Sequence, residues 1–251
     1  MRSIHLFSLN IMLKKLLGLK HWRSIAHYLS IQGSCVLCQT PTKDTTMLCS
    51  FCNSLLQRIP YTCACCSLPL PTEQFHLCGN CIRHPPSFDK IYTHYIFAEP
   101  LRSLIHQYKY HHALHLRCLL VHCLLDAWSP EMRTADCIIP VPMHPSRLKQ
   151  RGFNQSTELA KRLAKRLNLP FEPSLCRKIK PTLPQVGLNA QQRQLNLRSS
   201  FITQATTYEH ILVIDDLVTT GITADLIASS LKEQGVKRVD IWCCARAIPI
   251  H

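Results

Sequence analysis

An unbroken apolar run, Ile211-Leu212-Val213-Ile214, ends in the paired acids Asp215-Asp216 and continues as Leu217-Val218-Thr219-Thr220-Gly221-Ile222-Thr223. A run without polar alternation suits a strand covered on both faces of a parallel sheet, with the acids at its C-terminal edge. Ala224, Ile227, Ala228 and Leu231 then recur at helical spacing, Gly235 closes the helix, and residues 236–244 supply another strand. Strand, helix and strand in that order predict a parallel pair with a right-handed crossover. Upstream, residues 91–97 alternate like a strand, and Pro100 opens a helix that buries Leu101, Leu104, Ile105 and Tyr108 while exposing Arg102, His106 and Lys109. Leu116, Leu119, Leu120, Cys123 and Leu124 continue a helical pattern. Residues 137–139 form a short apolar strand running into the stiff loop Pro140-Val141-Pro142-Met143-His144. A helix over 154–168 buries Leu159, Ala160, Leu163, Ala164 and Leu167, and turns Lys161, Arg162, Lys165 and Arg166 to the other side. The class is α/β.

Charge sharpens this picture. The chain of 251 residues has a formal charge of +14, from 29 Lys+Arg against 15 Asp+Glu, an excess that attracts polyanions such as nucleic acid or phosphorylated ligands. Residues 1–34 contain Arg2, Lys14, Lys15, Lys20 and Arg23 but no acid, and are expected to form a basic arm able to touch nucleic acid or a membrane surface. Lys161, Arg162, Lys165 and Arg166, with Arg147 and Lys149 after the stiff loop, are the candidates for DNA contact. Residues 170–200 are rich in Pro, Gln and Asn and predict a mobile lid, with Thr182, Gln185, Arg193, Asn196 and Arg198 as its ligand-facing polar groups. No stretch is long enough to span a bilayer.

Cysteines add a second chemistry. Cys35, Cys38, Cys49 and Cys52, and then Cys63, Cys66, Cys78 and Cys81, make two C-x2-C…C-x2-C sets, and each pair of hairpins can close the tetrahedral thiolate shell that structural zinc prefers. One or two zinc ions are expected; a crossed pairing, or Cys65 replacing a neighbour, stays open at this level. Four such pairs in a loop-rich segment do not fit a redox motif. Cys118, Cys123, Cys137, Cys176, Cys243 and Cys244 lie in apolar stretches and read as core residues in a reducing cytosol. His111, His112, His115 and His122 read as a polar helix face. With Pro85-Pro86 as a linker, the expected organisation is an arm (1–34), a double zinc-finger module (35–84) and an α/β domain (88–251).

The strand end predicts the ligand. In an open α/β sheet ligands bind outside the carboxyl ends of the strands, and a small hydroxylated turn entering a helix favours an anion. Asp215 and Asp216 can accept hydrogen bonds from sugar hydroxyls, while Thr219, Thr220 and Thr223 donate to phosphate and Gly221 permits close backbone approach. The loop Val141-Pro142-Met143 beside Arg147, Lys149 and Arg151 suits a pyrophosphate.

The run from 211 to 223 resembles the phosphoribosyl pyrophosphate signature of type I phosphoribosyltransferases. The resemblance implies a parallel sheet with helices on both faces behind a small zinc-ribbon-like module. It also implies that Asp215 and Asp216 are the catalytic acids on the ribose, that Val218, Thr219, Thr220, Gly221, Ile222 and Thr223 wrap the 5′-phosphate, and that magnesium bridges sugar and pyrophosphate. The Cys hairpins, Lys109-Tyr110, Pro140-Val141-Pro142-Met143-His144-Pro145, Arg151-Gly152-Phe153-Asn154-Gln155, residues 182–196 and the Asp215 loop together resemble the ComF/GntX family. His111-His112 departs from that family's usual small or basic, Gly-containing turn. The family resemblance implies a role in natural transformation: a cytoplasmic protein, peripheral to the inner membrane, that handles incoming single-stranded DNA alongside other competence or recombination proteins. A metabolic phosphoribosyltransferase and a non-catalytic phosphosugar sensor or scaffold are the alternatives, and no side chain stands out as the base for an acceptor.

Overall fold

The computed structural model describes residues 33–42, 47–180 and 200–248. Residues 1–32 of the expected basic arm and the lid residues Thr182, Gln185, Arg193, Asn196 and Arg198 lie outside them. The chain divides into two compact units, residues 1–52 and 53–251.

In the first unit a short antiparallel ladder joins β1 (Gly33–Ser34) to β2 (Pro41–Thr42), and the Cys35 N–H donates to the Thr40 carbonyl at 2.9 Å. The helix α1 (Ser50–Ser54) carries Cys52, so that a tight turn and a helix start face each other with two cysteines each.

The second unit begins with a cysteine knuckle around Cys63 and Cys66, closed by Ser67 N–H donating to the Cys63 carbonyl, and by α2 (Gly79–Arg83). The main sheet has β3 (Lys90–Tyr92), β4 (Cys137–Pro140), β7 (His210–Val218) and β8 (Arg238–Arg246) in the order β3-β8-β7-β4, with every pair parallel. The intervening elements are α3 (Leu101–Tyr110), α4 (Arg117–Asp126), α5 (Pro145–Arg151), α6 (Gln155–Leu167), the antiparallel hairpin of β5 (Cys176–Lys178) and β6 (Phe201–Thr203), and α7 (Ile222–Lys232). This is the expected α/β class, and the period-two geometry of a strand explains its two layers. Ile139, Val213 and Ile241 meet Ala224, Ile227 and Leu231 of α7 on one face. On the other, Trp242 Nε1 donates to the Leu124 carbonyl at 2.7 Å, and α6 lies against β4 and β7.

Local chemistry sets the helix ends. The Asn154 Oδ1 accepts from the Ser156 N–H at 3.0 Å as the N-cap of α6, and Asn168 ends it in the left-handed conformation. Leu159, Ala160, Leu163 and Ala164 are buried as their spacing predicts, while Leu167 is only half-buried at the final turn. The strand expected over 91–97 is interrupted: the ladder with β8 covers Lys90–Tyr92, the chain leaves it at Thr93 and His94, and Ile96 returns as a single parallel bridge to Arg246. Cys118 is exposed, contrary to its expected place in the core: it stands at the start of α4, where its sulfur accepts from Arg162 Nη1 at 3.2 Å.

The second cysteine set is part of the main core. Cys63, Cys66 and Cys81 share one buried cluster with Phe88, Ile91, Val218 and α7.

Candidate functional site

The register of the sheet creates the site. β4 ends at Pro140, opposite Ile214, whereas β7 runs on beside β8 with Asp215 opposite Cys243 and Val218 opposite Arg246. The two acids therefore stand inside a strand, at the step where one neighbouring strand has stopped. The space above that step is a cleft of about 290 Å³ lined by Lys109, Val141, Pro142, Met143, His144, Arg147, Arg151, Asn154, Gln155, Ser156, Lys178, Asp215, Asp216, Leu217, Thr219 and Thr223. Four side chains that carry positive charge face two acids, the balance expected for a polyanionic ligand that also bears hydroxyls.

The acids are not the solvated pair that a strand end suggests. Asp216 is 4% exposed, and its Oδ2 lies 3.0 Å from Lys109 Nζ without accepting a well-aligned hydrogen bond, so that contact is ionic. Lys109 itself, expected on the exposed side of its helix, turns inward to make this pair. Burial alone would lower the Lys109 pKa, but Asp216 and Asp215 outweigh it and hold the ammonium above its ordinary value. Asp215 is half-buried and accepts from the Ser156 hydroxyl at 3.0 Å and from the Asp216 N–H at 2.9 Å. Burial pushes its carboxyl up to about 7, Asp216 adds to the effect, and Lys109 and Ser156 oppose it.

The stiff loop is positioned by α6, since Asn154 caps the helix with its oxygen and donates from Nδ2 to the Val141 carbonyl at 3.0 Å. Gln155 is 2% exposed and its Nε2 has no hydrogen-bond partner among the described residues, leaving a buried donor at the cleft wall. The turn 219–223 is exposed at Thr219, Thr220, Ile222 and Thr223, and Gly221 takes φ 85° at the N-cap of α7, where a side chain would be strained.

Of the residues expected to bind phosphoribosyl pyrophosphate, Val141, Pro142, Met143, Arg151, Thr219 and Thr223 line the cleft with the two acids. Thr220, Gly221 and Ile222 form the adjoining turn, and Val218 is buried beneath it. Arg147, grouped by sequence with the DNA-contacting set, stands in the cleft wall, whereas Lys149 on the same helix is exposed outside it. Lys161, Arg162, Lys165 and Arg166 are exposed on α6, and Arg162, Lys165 and Arg166 share a groove of about 560 Å³ with Val121. Sequence reasoning assigned no role to Lys109, Gln155, Ser156 or Lys178. The available signal was that Lys109 lies in the Lys109-Tyr110 motif and Asn154 and Gln155 in the motif Arg151-Gly152-Phe153-Asn154-Gln155.

Both cysteine sets close as spacing predicts. Cys35, Cys38, Cys49 and Cys52 form one group and Cys63, Cys66, Cys78 and Cys81 the other, with the sulfurs of each within 4.8 Å of one another; Cys65 stands outside both. Backbone donors fit them to a cation. Burial would raise the Cys35 and Cys63 thiols, yet N–H groups from Cys38, Cys49 and Leu37 hold Cys35 at about 6, and those of Cys66, Cys78 and Cys65 hold Cys63 at about 7. A shared cation would hold such groups as thiolates, and four sulfurs in tetrahedral reach are a donor set that could hold structural zinc.

No family model matches the chain. Among curated proteins it is similar to competence protein F of Haemophilus influenzae, with 34% identity over 80% of this chain and 90% of that protein. It is also similar to the DNA utilization protein YhgH of Shigella flexneri and of Escherichia coli K12, each 31% identical over 88% of this chain and 100% of the relative. Among solved structures, orotate phosphoribosyltransferase from Aeropyrum pernix matches 50% of this chain and 68% of its own, at 16% identity and a TM-score of 0.30. With a third of its residues identical across nine-tenths of a competence protein, and both cysteine sets and the Asp215 cleft formed, the chain belongs to the ComF/GntX family.

Proposed function

We propose that this protein serves DNA uptake or utilisation by binding phosphoribosyl pyrophosphate with magnesium in the Asp215 cleft and single-stranded DNA along the basic face of α6. The observation that carries the reading is one cleft in which Asp215, Asp216, Thr219 and Thr223 stand opposite Lys109, Arg147 and Arg151. The acids suit the ribose hydroxyls, the threonine turn at the start of α7 suits the 5′-phosphate, and the arginines suit the pyrophosphate as bidentate cations. Magnesium bound with the pyrophosphate would offset charge on the leaving group. Asp215, held near neutrality, is placed to take a proton from an acceptor hydroxyl or ring nitrogen. A neighbouring, more apolar cavity of about 440 Å³ shares Pro142, Met143, His144, Asn154 and Lys178 with the cleft and is our candidate for the acceptor. The relatives' names, competence and DNA utilisation, support a nucleic-acid context, and a cytoplasmic protein peripheral to the inner membrane fits it. Among the described residues no helix is long and apolar enough to cross a membrane.

Calorimetric titration with phosphoribosyl pyrophosphate, with and without magnesium, tests the site directly. Gln155→Leu sharpens the test: it removes an unsatisfied buried amide, so stability should hold or rise while ligand affinity falls by about 1 kcal/mol. A wild type that takes up no ligand in the presence of magnesium would favour the scaffold reading. Binding and pyrophosphate release with free nucleobases, without any affinity for DNA, would favour the metabolic one.

A further inference from the structure

Arg246, the last residue of β8, is 3% exposed, and its guanidinium is held entirely by backbone carbonyls. Nε donates to the Cys66 carbonyl at 3.0 Å, while Nη1 donates to Val218 at 3.0 Å, to Thr219, and to Ala247 at 3.4 Å. Among the described residues no acid pairs with it. One fork thus ties the second cysteine knuckle to the two residues that lead into the phosphate turn. We propose that Arg246 is a positioning residue that couples metal in the Cys63, Cys66, Cys78 and Cys81 group to ligand binding at the 219–223 turn.

The physical case has two halves. A guanidinium out of water needs several fixed acceptors, and the carbonyl of Cys66 belongs to the knuckle whose Cys63 and Cys66 sulfurs a common ion would hold together. The knuckle is further pinned to the sheet by the Ile91 N–H, which donates to the Cys65 carbonyl at 2.7 Å. On the other side, a phosphate arriving at the turn brings negative charge toward a buried cation that lacks an acid of its own. Ordering one end therefore favours ordering the other, and such coupling acts equally in both directions.

The inference rests on the proposed ligand, and reciprocity supplies a test that does not use activity. Zinc-loaded full-length protein is mixed with a chromogenic zinc chelator in excess, with and without magnesium phosphoribosyl pyrophosphate at a concentration that calorimetry shows to saturate. One of two zinc ions should leave more slowly in the presence of ligand, by about five-fold or more. Cys52→Ser, which opens the first set, should leave one zinc that still shows the protection. Arg246→Met should keep two zinc ions and lose the protection, and Arg246→Lys, which keeps the charge without the fork, should retain part of it. Ligand bound by calorimetry but zinc released at equal rates overturns the coupling alone. Protection that survives in Arg246→Met shows that it does not run through this residue, and absence of calorimetric binding overturns the proposed ligand together with the coupling. Should Arg246→Met fail to fold, the wild type and Cys52→Ser still decide whether the second site and the turn are linked.

Discussion

At the scale of single residues, the Lys109 and Asp216 pair decides what mutagenesis of the acids will report. Removing one partner of a buried ion pair strands the other, so Asp216→Ala should lower unfolding free energy in urea by about 2–4 kcal/mol, less than a fully dry pair because Lys109 keeps some solvent contact. Loss of ligand binding in that variant would mix stability with recognition. Asp215→Asn is the cleaner change, since it keeps the shape and part of the hydrogen bonding. Its pH behaviour carries a sign that can be checked. With its folded pKa raised from the carboxylate range to about 7, Asp215 binds protons more tightly folded than unfolded. Its contribution to stability is therefore complete below pH about 4 and is lost as pH rises through about 7. Thermal melts from pH 4 to pH 8 should show the wild type losing stability relative to Asp215→Asn across that window; parallel curves would mean that the carboxyl ionises normally.

At the scale of elements, α6 has two faces with separate duties. Its N-terminus supplies Asn154, Gln155 and Ser156 to the cleft, while Lys161, Arg162, Lys165 and Arg166 stand in solvent. Arg162, Lys165 and Arg166 border one groove with α4, which makes them the stronger candidates, and Lys161 contributes only general charge. Changing all four to Gln should flatten the salt dependence of single-stranded DNA binding, by a log–log slope of about 0.7 for each phosphate contact removed. Fluorescence anisotropy over a salt series measures this. Affinity for phosphoribosyl pyrophosphate should stay near wild type, because the helix cap and its hydrogen bonds are untouched. An unchanged slope would make the face an ordinary solvated one.

At the scale of the whole molecule, the two cysteine sets differ in what depends on them. The first belongs to residues 1–52, and the second contributes Cys63, Cys66 and Cys81 to the core that also contains Val218 and α7. Elemental analysis should find about two zinc per chain. In scanning calorimetry, Cys81→Ser should lower the main unfolding transition by several degrees, since a metal and a core contact are lost together, whereas Cys52→Ser should lose one zinc and leave that transition near its wild-type temperature. Equal shifts for the two variants would contradict this division. Zinc-free protein with oxidised cysteines would remove its basis.

The sequence by itself determined whatever depends on neighbours along the chain. Each C-x2-C hairpin brings two sulfurs together within a few residues, so the pairs and a candidate grouping were readable, while the exclusion of a crossed pairing and of Cys65 came from the structure. Helical and strand periodicities identified the buried faces of α3, α6 and α7, and the order of residues 211–223 announced a Gly-containing turn entering a helix, where the structure has Gly221 at φ 85°. Only the tertiary structure decided which distant groups meet. Lys109 sits at the edge of its helix's apolar stripe, where periodicity assigns it to solvent, yet a buried acid from β7 stands within ion-pair reach. Arg147 and Lys149 are two residues apart, and the direction of a short helix sends the first into the cleft and the second outside it. Arg246 follows an apolar strand and carries no local mark of function; its partners are Cys66, 180 residues away, and the turn leading from β7. The reason is common to all three. Periodicity reports which side of an element is dry, but where a neighbouring strand stops, and hence which side chains share the space beyond it, depends on sheet register and long-range packing.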